Sequence, residues 1–136
     1  MNIIVTSPRN RMEDAAREAE AIKAAGGGHY FRRLCGQWHH APAMEDGDRI
    51  YYVEDGYVRG FCLLDRLEEK TVDMVCTTNR TNFFPGVYAF MDATTWQWIE
   101  PIPMRGFQGW RYFPKVLEPQ VKVVGGWLDP RPGVNQ

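Results

Sequence analysis

Two short stretches interleave aromatic rings with arginine in a way that suits chemistry on nucleic acid: His29-Tyr30-Phe31-Arg32-Arg33 and Gln108-Gly109-Trp110-Arg111. A ring stacks on an unpaired base while a nearby guanidinium holds its phosphate, and stacking tolerates any base because every base has a π-face. Trp110 is singled out for this role. It lies between Gly109 and Arg111, where a large ring is harder to bury by strand pairing and easier to present to a ligand. Trp96-Gln97-Trp98 places two more indoles on one face if extended, either as the floor of an aromatic cage or as a plug in the core. The Gln108 amide suits the reading of a Watson–Crick edge.

Net charge hides where the cations are. With 16 basic and 17 acidic side chains in 136 residues the formal charge is -1, so no overall positive field draws nucleic acid or an anionic membrane. Three windows nonetheless contain bases and no acids. They are Met1 to Met12 with Arg9 and Arg11, Ala21 to Met44 with Lys23, Arg32 and Arg33, and Pro101 to Leu117 with Arg105, Arg111 and Lys115. A fold that brings these windows together gives a neutral protein one basic face suited to phosphate.

Catalytic and metal patterns are thinner. His29 beside Arg32 and Arg33 has the composition for acid-base cleavage of a phosphodiester, although the same group holds phosphate without catalysis, and that is the favoured reading. Cys35, His39 and His40 fall short of a closed four-ligand zinc site, because neither Cys62 nor Cys76 stands in a paired motif. No metal or cofactor is expected. The triplet Gly26-Gly27-Gly28 follows a helical pattern, whereas phosphate cradles precede one.

The elements that must position these residues read as one domain over residues 1–128, with 129–136 expected to be an unstructured tail. Ile3 to Thr6 has the apolar run of a buried strand. Ser7-Pro8 then opens an amphipathic helix to about Ala25, with Met12, Ala15, Ala16, Ala19 and Ile22 at three- and four-residue spacing. Leu34 to Asp46 reads as a loop carrying Trp38, His39 and His40. Asp55-Gly56 predicts a two-residue type I′ hairpin that sets Glu54 opposite Tyr57, Val53 opposite Val58, Tyr52 opposite Arg59 and Tyr51 opposite Gly60. Val72 to Thr77, Gly86 to Met91 and Val121 to Val124 are further strands, and Trp96 to Phe113 is a strand or short helix followed by a proline-broken loop. Three cysteines without paired spacing, Cys62 among them at a mid-strand position fit for a small buried group, and the absence of a leader or membrane span predict a soluble cytoplasmic chain.

The order of these features resembles the EVE and ASCH branches of the PUA-like superfamily from Ile3 to Val124. The matching pieces are Ile3-Ile4-Val5-Thr6 ending at Ser7-Pro8, the helix leading to Gly27-Gly28-His29-Tyr30-Phe31, and Gly47-Asp48-Arg49-Ile50-Tyr51-Tyr52 entering the hairpin. The resemblance implies an α+β fold, a small PUA-like mixed β-pseudo-barrel with one main helix after the first strand. EVE-like members look like readers of modified bases and some ASCH members resemble ribonucleases. The ASCH signature Gly-x-Lys-x-x-Glu-x-Arg is absent, since Gly28-His29-Tyr30-Phe31-Arg32-Arg33 has no Lys or Glu at comparable places, and this lowers the ribonuclease reading most. The run from Trp98 to Phe113 points to a narrower, phage-associated subfamily.

The expected site therefore comprises Ser7, Arg9, His29, Tyr30, Arg32, Arg33, Trp96, Trp98, Gln108, Trp110 and Arg111. Its expected partner is RNA or DNA with an unpaired, flipped or modified base. The alternatives are an ASCH-like RNA-processing ribonuclease with His29 as acid-base, and an adaptor whose aromatic loop docks on a protein.

Overall fold

The computed structural model describes residues 1–6, 24, 29–71, 74–75 and 82–125, with the main chain alone at 29, 30, 74, 75, 82, 83 and 93. Its strands are β1 (Ile3–Thr6), β2 (His29–Cys35), β3 (Arg49–Glu54), β4 (Tyr57–Lys70), β5 (Met74–Val75), β6 (Asn82–Phe83), β7 (Gly86–Pro103), β8 (Trp110–Tyr112) and β9 (Val123–Gly125). Two 3-10 turns, Trp38–His40 and Lys115–Gln120, lie between them. The main sheet runs β2-β7-β4-β3-β1-β8, with β9 also on β7, while β5 and β6 pair separately. The predicted helix, Ser7 and Arg9 lie outside the described residues; Ala24, described on its own in that stretch, is helical.

β1 sits inside the sheet, parallel to β3 and antiparallel to β8. Its two faces bury different clusters, Ile3 and Val5 in one and Ile4 in the other, which is why its sequence shows an apolar run instead of alternation. The first cluster gathers Ile50, Tyr52, Cys62, Leu64, Met91, Trp96 and Trp98; the second gathers Tyr51, Val53, Val58, Phe61, Ile99, Ile102 and Phe113. β3 alternates between them, with Ile50 and Tyr52 on one side and Tyr51 and Val53 on the other. The β4–β7 ladder slips at three points, between Val58 and Gly60, Phe61 and Leu63, and Leu64 and Arg66. Each irregularity adds bend and twist, curling the sheet into a half-barrel.

The hairpin turn forms as predicted, with Asp55 at φ 53° and Gly56 at φ 82°, the left-handed pair that a type I′ turn requires. Glu54 faces Tyr57 and Val53 faces Val58, but the expected register ends there. Arg59 is skipped, so Tyr52 faces Gly60 and Tyr51 faces Phe61. The cause is tertiary: Trp96 lies on Gly60, where a Cβ would sit 2.8 Å from Trp96 Cζ2 and 2.4 Å from the Gln97 carbonyl.

Other expectations shift similarly. His29–Cys35 is a strand held by β7, although the chain after the glycines carried no predicted strand, and the Leu34 to Asp46 loop contains the 3-10 turn. The strand expected at Gly86 to Met91 continues to Pro103, because Pro101 and Pro103 fall beyond the pairing with β9, where that edge of β7 has no described strand to receive a donor. The expected Val72 to Thr77 strand is described at Met74–Val75 only. No helix among the described residues is long and apolar enough to cross a membrane.

Cys62 is fully buried, and burial pushes its thiol well above the ordinary range, with the Asp92 carboxylate adding in the same direction. Burial raises Tyr52 likewise. A group whose pKa is raised on folding contributes stability that is whole below its unfolded pKa and is lost as pH rises past it. For a thiol that onset lies near pH ~8.5, and each proton held in this way costs up to about 1.4 kcal/mol per pH unit beyond it. Urea midpoints should therefore fall between about pH 8 and pH 10, and Cys62→Ala should flatten that decline; an equal decline in the variant would assign it to other groups.

Candidate nucleic-acid interface

Two separate segments meet the end of β1. The Thr6 carbonyl accepts a hydrogen bond from Arg32 Nη2 at 2.8 Å, and Thr6 Oγ1 accepts one from the Phe107 main-chain N–H at 2.9 Å. Arg32 comes from β2, opposite Ala89, and its guanidinium lies 5.9 Å from the Tyr52 ring centroid. The Tyr52 hydroxyl donates inward to Met91 Sδ at 3.1 Å. Behind β2, the turn at Trp38–His40 leads the chain back toward β8.

β8 receives it. Trp110 Nε1 donates to the His40 carbonyl at 3.0 Å, and the Ala43 N–H donates to the Tyr112 hydroxyl at 2.8 Å. Trp110 and Tyr112 share a face of β8 and meet edge to face at 4.9 Å. Side-chain bonds tie each sheet edge to other chain segments, Arg32 of β2 to β1 at Thr6, and Trp110 and Tyr112 of β8 to His40 and Ala43 in the segment after β2. Arg111 points to the other face of β8, where its guanidinium lies 4.3 Å from the Phe107 ring centroid. Gln108 is exposed beside Gly109, whose φ of +76° turns the chain into β8.

Among the described residues, side-chain cations paired with carboxylates lie on the distal part of β4, while unpaired ones occur both here and elsewhere, Arg49 and Arg59 included. Arg66 pairs with Asp65 and Glu68, and Lys70 with Glu68, on the distal part of β4. Arg32, Arg33, Arg105 and Arg111 pair with no carboxylate among the described residues. A guanidinium has five N–H donors in a fixed fork, so Arg32 keeps donors beyond the one spent on Thr6.

The expected site residues divide accordingly. Arg32, Trp110, Gln108 and Arg111 come to the β1–β8 end of the sheet. Arg33 points the other way along β2 and donates to the Pro85 carbonyl at 3.0 Å, so it does not join Arg32. The main chains of His29 and Tyr30 pair with Asp92 and Met91, and their side chains lie outside the described residues. Trp96 and Trp98 do share a face, but they are 2% and 0% exposed and stack edge to face at 5.0 Å in the core. This corrects their inclusion as a ligand-facing cage, because packing between the strands leaves neither ring a face to offer. Trp110 also differs from the expected loop residue: it is in a strand, half-buried against the first cluster.

Sequence reasoning missed Thr6, Tyr52, Phe107 and the His40 carbonyl as parts of the site. A strand-ending hydroxyl was the one available signal for Thr6. The His39 and His40 rings lie tilted against each other with centroids 3.9 Å apart, and Cys35 Sγ donates to the Gln37 carbonyl at 3.2 Å. No group of three His, Cys, Asp or Glu side chains converges on a metal-sized site among the described residues.

No family model matches the chain, and no curated protein matches it. Among solved structures, it is similar to a mutant ZmASCH protein from Zymomonas mobilis, with 15% sequence identity and a TM-score of 0.48 over 84% of this chain and 91% of that one.

Proposed function

We propose that this chain binds nucleic acid through an unpaired base, held against Trp110 while Arg32 and Arg111 contact phosphates. The supporting observation is the meeting at Thr6 of segments from all three acid-free windows, with Arg32 and Arg111 free of carboxylate partners among the described residues. Cations left unneutralised beside aromatic rings suit a phosphate chain whose bases are splayed outward. Trp110 and Arg111 point to opposite faces of β8, so a bound strand crosses that edge to reach both.

Titration with short single-stranded DNA and RNA, with and without modified bases, tests the reading by tryptophan fluorescence. Base-dependent quenching that weakens with salt is expected; no response at low salt would sink it and leave the protein-docking alternative. Arg32→Ala should lower the slope of log affinity against log salt by about 0.7, the release expected for one phosphate contact on a single strand. An unchanged slope removes Arg32 from the phosphate set.

A further inference from the structure

Thr6 serves two partners through two different atoms. Its main-chain carbonyl anchors Arg32, and its hydroxyl oxygen anchors the Phe107 N–H. Gly106 packs on the same side chain, where a Cβ would come within 3.1 Å of Thr6 Cγ2. The segment leading into β8 is pinned again at Met104, whose N–H donates to the Gly56 carbonyl at 2.9 Å. Between these pins and β8 lie only Gln108 and Gly109, so the anchor at Phe107 bears directly on where β8 begins.

We propose that Thr6 is a positioning residue that sets base recognition and phosphate contact separately. The hydroxyl oxygen fixes the segment that carries Gln108, the amide suited to a base edge, and that leads into Trp110, while the carbonyl fixes the Arg32 fork. The inference rests on the nucleic-acid reading above. It has a distinctive signature, because every variant of the side chain keeps the carbonyl. Thr6→Val preserves the shape and removes the acceptor, leaving the Phe107 N–H unpaired and Arg32 still anchored.

The test compares oligonucleotide affinity for a preferred and a disfavoured base, across a salt series, in wild type, Thr6→Val and Thr6→Ser. Thr6→Val should bind the preferred base about tenfold more weakly with the salt slope unchanged, and Thr6→Ser should restore binding. A purely structural role would weaken both bases equally and would not be rescued selectively. Gly106→Ala presses the same segment from its other side and should give the same split, which keeps the question answerable if Thr6→Val does not fold. Wild type that binds with base preference, together with Thr6→Val or Gly106→Ala of unchanged preference, overturns the inference alone. Wild type that binds no oligonucleotide overturns the functional reading and the inference with it.

Discussion

Trp110→Ala should weaken binding of an unpaired-base oligonucleotide by about 1–3 kcal/mol, roughly five- to 150-fold, as loss of one base-stacking ring does. The ring is half-buried, and its indole N–H reaches the His40 carbonyl, so truncation also removes packing against the first cluster and the bond that ties β8 to the Trp38–His40 turn. Trp110→Phe separates the two effects. It keeps an aromatic face and loses the N–H, so most of the affinity should return while the bond to His40 does not. Anisotropy of a labelled oligonucleotide reads both variants without relying on the tryptophan itself. Wild-type affinity in Trp110→Ala would place the ligand elsewhere on the protein.

Gly60→Ala should cost about 3 kcal/mol of stability, the upper end of ordinary overpacking. The added Cβ would lie 2.4 Å from the Gln97 carbonyl, a main-chain atom that cannot move without opening the β4–β7 ladder, and 2.8 Å from the buried Trp96 ring. For a chain of this size the loss corresponds to a thermal midpoint lowered by about 10 °C. Gly125→Ala is the control, since a Cβ there meets nothing within 4 Å. A Gly60→Ala protein melting with wild type would refute the close approach of Trp96 to β4.

These two residues also mark what was legible in the chain. The hairpin turn was readable because Asp55-Gly56 requires left-handed backbone that few other pairs supply. The slip at Arg59 was not, because it answers to Trp96, a residue on another strand. Periodicity placed Trp96 and Trp98 on one face but could not say whether that face looked inward. β2 was obscured by the flanking glycines and Pro42, and it owes its form to β7. In the site, the cation-rich windows were legible from composition alone. Their meeting at Thr6 was not, since it depends on β1 lying between strands drawn from distant parts of the chain.

That central position has a kinetic consequence. Ile3 pairs with Ile50 on one side and with Tyr112 on the other, so β1 waits for a strand far along the chain before both its edges are occupied. Closing loops of that length is slow, and until it happens an apolar run with open backbone is available to neighbouring chains. The segment that organises the finished site is therefore also the one most in need of protection while the chain is being made.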